Sequence, residues 1–143
     1  MSARQAAVPS AARVIAIARQ WVGVRFRPQG RDRGGVDCIG LLAAVWGEAG
    51  ARLVVPADYA LRDTPPFRVE AGLESAGFAR LSAVQAVAGD ILLAEPASGQ
   101  SHLALLAGES LIEANAGVGR VIERRLRPDE PWQTAWRYLE WIG

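Results

Sequence analysis

An α+β domain, with N-terminal helices packed on an antiparallel β-sheet, is the fold class that this 143-residue sequence predicts. Two observations carry it. Apolar residues recur with helical spacing in the first half, at positions 14, 17, 18, 21 and 22 and again after Cys38. From residue 91 onward the chain breaks into apolar runs of four to seven residues between Gly- and Pro-bearing turns, as consecutive antiparallel strands do. Helices first and strands afterwards give an α+β architecture. No linker divides the chain, so one domain over residues 1–143, with its core at about 10–142, is expected.

Ser10 is a helix start signal, and the segment from Ser10 to Val22 reads as an amphipathic helix ended by Gly23. Val24 to Gly35 is a basic, Gly-rich loop carrying Arg25, Arg27, Arg31 and Arg33. It is either solvated surface or one wall of a cleft that meets an acidic substrate. A buried helix starts at Cys38, with Asp37 as N-cap, and runs through Leu41, Leu42, Val45 and Trp46. Residues 51–66 are expected to be irregular, with a short helical turn at Tyr59 to Arg62. Phe67 to Ala76 reads as a helix ended by Gly77-Phe78, and Ser82 to Gln85 as a turn or short helix. Strands are expected at 91–94, 101–107, 110–115, 120–124 and 136–142. A hairpin through Gly108-Glu109 would pair the second strand with the third.

Composition narrows the function. Half the residues are hydrophobic and the formal net charge is +1, which gives no footing for nucleic acid or an anionic membrane as main partner. A single cysteine excludes an internal disulfide. With one histidine beside it, no Cys/His zinc site is expected, and no cofactor is called for. No apolar run approaches the roughly 20 residues that span a bilayer. Residues 1–12 lack the apolar core of a secretory signal, so the expectation is a product made in the cytoplasm and exported by another route.

Cys38 and His102 are the residues with nucleophile-and-base chemistry. At a helix N-terminus a thiol faces unpaired N–H groups, which favours thiolate by roughly 0.3–1 kcal/mol. The alternative is a free cysteine packed as a small hydrophobe. If the hairpin forms, Glu113 and Asn115 lie beside His102 and share a face, so that either could fix the imidazole. A histidine that only caps the sheet, with the Glu-x-Asn pair in solvent, is the plainer reading.

The stretches Trp21 to Gly30, Gly34-Gly35-Val36-Asp37-Cys38-Ile39-Gly40-Leu41, Ala88 to Leu93, His102 to Leu106 and Leu111-Ile112-Glu113-Ala114 follow one another in a familiar order. In that order the chain resembles the NlpC/P60 family of papain-like cysteine peptidases that cut cell-wall peptides. The resemblance runs from about Val14 to Arg124. It implies a papain-like fold, Cys38 as nucleophile, His102 as general base and Glu113 as orienting residue, with Asn115 as substitute. The backbone N–H of Cys38 would be an oxyanion donor. Two positions depart from the family pattern: Glu113 stands where His, Asn or Gln is usual, and Phe26 where a Tyr is usual. The implied substrate is the peptidoglycan stem peptide, cut next to D-γ-glutamyl-diaminopimelate. Asp37, Phe26, Gln29, Arg25, Arg27 and Ser101 are the substrate-binding candidates.

The opening Trp-x-Gly-x-x-aromatic looks most like the phage and gene-transfer-agent branch of the family. That likeness implies a component of a phage-like tail, held by tail hub or tip proteins and delivered to the periplasm and cell wall. The competing reading is a catalytically weak structural or wall-binding module at a tail tip. Trp132, Trp136, Tyr138 and Trp141 would then be either a docking surface or core. An acyltransferase on the same fold would need an apolar acyl groove.

Overall fold

The computed structural model describes residues 10–51, 53 and 64–141. The helical turn expected at Tyr59 to Arg62 lies outside the described residues. Helix α1 spans Ala11–Arg19; the Ser10 side chain accepts from the Arg13 N–H, and Val14, Ile15, Ile17 and Ala18 turn inward. It stops short of the expected Val22, and turns carry the chain from Gln20 to Gly23. Helix α2, Cys38–Glu48, packs beside α1 and buries Leu41, Leu42, Val45 and Trp46. Helix α3, Pro66–Ser75, opens on a proline in its first turn, where the missing N–H is harmless.

The basic loop is more ordered than expected. Its residues Arg31–Asp32 (β1) and Gly35–Val36 (β2) form a small antiparallel ladder. The main sheet contains β3 (Phe78–Ser82), β4 (Ile91–Ala94), β5 (His102–Leu106), β6 (Ser110–Asn115), β7 (Arg120–Arg125) and β8 (Thr134–Tyr138). Their order is β3-β8-β4-β5-β6-β7, every neighbouring pair antiparallel. The expected hairpin is present: Leu105 lies opposite Ile112 and Leu106 opposite Leu111.

Two parts of the sheet differ from expectation. β3 was not expected, since the sequence reads Phe78 as the end of a helix and Ser82 as the start of a turn; its Phe-Ala-Arg-Leu-Ser stretch has weak strand character and pairs only with β8, from Phe78–Tyr138 to Ser82–Thr134. β8 begins at Thr134 rather than Trp136 and gives way to a 3₁₀ turn at Leu139–Trp141. It inserts between β3 and β4 instead of extending the meander.

Strand alternation divides the core in two. One layer joins α1 and α2 to Leu93, Leu103, Leu105, Ile112 and Trp136; the other gathers Leu92, Ala104, Leu106, Leu111 and Ala135, with Leu126 and Trp132 against them. Trp136 and Tyr138 are thereby core, not a docking surface. Trp46 meets Phe78 and Tyr138 edge-on, at centroid distances of 5.4 and 6.2 Å. Such pairs contribute roughly 0.5–1.5 kcal/mol each beyond area burial. The side chain of Trp141 lies outside the described residues. No helix among the described residues is long and apolar enough to cross a membrane.

Candidate active site

The site is assembled where the N-terminus of α2 meets β5 and β6. Asp37 caps the helix: its Oδ1 accepts from the Gly40 N–H at 2.8 Å and its Oδ2 from the Gln29 N–H at 2.8 Å. One buried carboxylate thus ties the helix start to the basic loop. Gln29 takes a φ of 61°, a left-handed conformation unusual for a residue with a side chain.

Cys38 follows the cap as the first residue of α2 and is 1% exposed. Burial pushes its thiol up to about 12, and the Asp37 carboxylate adds to the rise. N–H groups of Leu103, Ile39 and Cys38 itself pull the other way and lose. The helix-end N–H groups favour thiolate, as expected, but burial outweighs them. A terminus contributing roughly 0.3–1 kcal/mol is worth less than one pKa unit, and desolvation is larger. The contact with Leu103 sets the sulfur beside the residue that follows His102.

His102 opens β5 and keeps about a quarter of its side chain exposed. Its Nε2 lies 2.7 Å from Glu113 Oε1. The Glu113 side chain is 2% exposed, and its second oxygen accepts from Arg124 Nε at 2.6 Å and from Asn115 Nδ2 at 3.3 Å. Of the two candidates for the orienting position, the glutamate meets the imidazole; Asn115 bonds to the glutamate and accepts from the Val118 N–H. Desolvation works to raise the Glu113 carboxyl, but hydrogen bonds and charge from His102 and Arg124 outweigh it and hold it at about 2.

A stability prediction follows from that value. The carboxyl lies below its ordinary 4.5, so its contribution is full above 4.5 and is lost as pH falls toward about 2. The stability advantage of wild type over Glu113→Gln should be present at pH 6 and shrink steadily below pH 4.5. Urea melts at several pH values measure it; a difference that does not change between pH 6 and 3 would contradict it.

The remaining candidates divide between framework and surface. Ser101 is buried, and its hydroxyl donates to the Thr64 carbonyl at 2.7 Å. Phe26 is half-buried against the core, its N–H bonded to the Gly119 carbonyl. Arg25 and Arg27 hold the loop through main-chain bonds to Val36, and both residues are exposed. Arg33 instead covers the Trp21 ring at 4.0 Å and reaches Gln20 and Glu48.

Sequence reasoning missed Arg124, Glu130 and, as a site residue, Trp132. Arg124 Nη2 pairs with Glu130 at 2.6 Å, and Trp132 stacks on the imidazole at 6.0 Å between centroids and 29° between planes. A signal for Arg124 existed in the register. Ile122 lies opposite Glu113 on β7, so Arg124, two residues on, shares the face of the glutamate. Among the described residues no cluster of His, Cys, Asp or Glu fit for a metal ion occurs.

Solved structures share this architecture. The NlpC/P60 domain of the peptidoglycan hydrolase SagA is 23% identical, with a TM-score of 0.63, 88% of this chain covered and 97% of that one. The P60 domain of an antigen from M. avium subspecies paratuberculosis is 20% identical, with a TM-score of 0.62 and coverage of 95% and 96%. The peptidoglycan hydrolase RipB from Mycobacterium tuberculosis is 21% identical, with a TM-score of 0.59 and coverage of 95% and 65%. No curated protein sequence matches the chain significantly. The NlpC/P60 family profile matches residues 23–139, most of the chain. A helix headed by Cys38, set against a sheet that carries the His102–Glu113 pair, is thus the papain-like α+β fold of the NlpC/P60 family, to which this chain belongs.

Proposed function

We propose that the chain is a cysteine peptidase that hydrolyses peptidoglycan stem peptides, next to D-γ-glutamyl-diaminopimelate. The observation that carries this reading is the His102–Glu113 hydrogen bond, one residue along β5 from the Leu103 N–H that touches the Cys38 sulfur. With Nε2 engaged by Glu113, Nδ1 is the nitrogen that takes the thiol proton. The thiolate then attacks the scissile carbonyl carbon, and the negative charge moves to the carbonyl oxygen, which the Cys38 N–H at the helix end receives. Collapse expels the amine, which leaves with the proton held by the imidazolium, and a thioester remains. Water, deprotonated by the same imidazole, releases the acid and restores the thiol. The exposed Arg25 and Arg27 suit the carboxylates of a stem peptide.

The delivery reading stands on the Trp21-x-Gly23 opening and its likeness to tail-borne peptidases. In it the chain rides on a phage-like tail, contacts hub or tip proteins, and opens the wall locally. A second reading, a tail-tip module that binds wall peptide without cutting it, draws support from the buried, high-pKa thiol. Digestion of purified peptidoglycan under reducing conditions separates the two. Mass spectrometry should find released stem fragments ending at the γ-glutamyl position, and none with Cys38→Ala as the blank. Equal products, or none at high enzyme from either free or particle-bound protein, would sink the peptidase reading.

A further inference from the structure

We propose that Arg124 is a positioning residue that fixes the polarity of the Glu113–His102 hydrogen bond, and through it the imidazole tautomer. The inference rests on the reading of Cys38 and His102 as nucleophile and base. Glu113 sits on β6 between β5, which carries His102, and β7, which carries Arg124. Each of its oxygens has one close partner: Oε1 meets His102 Nε2 at 2.7 Å and Oε2 meets Arg124 Nε at 2.6 Å.

A carboxyl this deeply enclosed, with only neutral neighbours, tends to keep its proton. It would then carry an O–H donor and could give it to Nε2, leaving the proton of the neutral ring on Nδ1. That tautomer has no lone pair at Nδ1 with which to accept a thiol proton, and the first catalytic step would stop. Arg124 removes the ambiguity because a guanidinium only donates. Its positive charge, 2.6 Å from Oε2, also favours the ionised carboxyl, which leaves no proton on Oε1, so Glu113 accepts at both oxygens and Nε2 must carry the hydrogen. Asn115 Nδ2, a further donor at 3.3 Å from Oε2, works in the same direction. The guanidinium is itself held in place: its Nη2 pairs with Glu130 Oε1 at 2.6 Å, while Glu130 Oε2 accepts from the Arg127 N–H at 2.7 Å. Turning Arg124 away would take the cation from both carboxylates.

The chain has one histidine, so the ¹⁵N signals of its ring report the tautomer with no assignment problem and no substrate. At mildly alkaline pH, wild type should show the Nε2–H form. Arg124→Gln should lose that signature for an Nδ1–H form or a mixture, and Arg124→Lys, which keeps a cation, should retain it. Glu113→Gln supplies an independent arm if Arg124→Gln does not fold. Arg124 then claims the amide oxygen, the NH₂ group turns to the imidazole, and the ring should become Nδ1–H. A folded Arg124→Gln that keeps the pure Nε2–H signature overturns the proposal, as does an Nε2–H ring in Glu113→Gln. Because the spectrum needs no turnover, a failed peptidoglycan digestion leaves this test intact, and a failed tautomer test leaves the peptidase reading standing.

Discussion

Replacing His102 with alanine will lower kcat on a stem peptide by roughly 10²–10⁴-fold, the range that a positioned general base supplies. The same change will slow alkylation of Cys38 near neutral pH. The reason lies in the burial of the thiol. With burial pushing its pKa up to about 12, an unassisted Cys38 stays protonated at pH 7. Helix-end N–H groups oppose that rise without cancelling it, so the helix alone does not make the nucleophile. A local base that receives the proton changes the balance, because proton and charge then move together within the site. In His102→Ala, iodoacetamide should react slowly at pH 7 and faster as the solution becomes strongly alkaline. Wild type should already react at pH 7. If the two proteins alkylate at the same rate near neutrality, His102 is not the base, and the proposed chemistry fails with it.

How much of this site was legible in the sequence depends on how local each part is. The Asp37 cap and the Cys38 helix are set by residues within one turn of each other, and Gly40 N–H to Asp37 Oδ1 needs no distant partner. The β4–β7 meander was equally readable, because its strands are joined by short Gly-bearing turns that leave few alternatives. From that hairpin both Glu113 and Asn115 could be placed beside His102, but spacing alone did not choose between them. The choice is made by which side chain meets the imidazole, and Arg124 on β7 takes part in it by holding the second glutamate oxygen. β3 and the placement of β8 were illegible for a related reason. Phe78–Ser82 and Thr134–Tyr138 are more than fifty residues apart, and each becomes a strand through the other. The loop from Leu126 to Gln133, which delivers Glu130 to Arg124 and Trp132 to His102, has a polar, Pro-bearing sequence that reads only as a loop. For the thiol, helix-end stabilisation can be read from sequence, whereas the burial that opposes it is a property of the folded core.

Gly40→Ala will be among the most damaging single-methyl additions in the described part of the chain, although alanine is the better helix former. Gly40 lies in the first turn of α2, directly under the basic loop. A Cβ there would stand 1.9 Å from the Gly30 carbonyl oxygen, and 3.2 Å from the Asp37 Oδ1 that caps the helix. The obstacle is backbone, not the end of a flexible side chain. Nor is the loop free to retreat. Gln29 N–H is tied to Asp37 and Gly30 N–H to the Arg27 carbonyl at 2.9 Å, and a Cβ on Gly30 would run into the Gly35 carbonyl. Overpacking of this kind costs about 1–3 kcal/mol. At about 2–4 °C per kcal/mol for a domain near this size, a fall in Tm of roughly 2–12 °C is expected. Activity should fall further than stability alone requires, because relief of the clash must move either the loop or the helix end that carries Cys38. Gly47, on the same helix, is the control. Nothing lies within 4 Å of the position its Cβ would take, so Gly47→Ala should stabilise the protein. The expected gain is about 0.5–1 kcal/mol, the ordinary helix preference of alanine over glycine. Thermal melts of the two variants beside wild type decide the matter. Opposite shifts are the expected result, whereas a Gly40→Ala protein that melts with wild type would mean that the loop does not rest on the helix start as described.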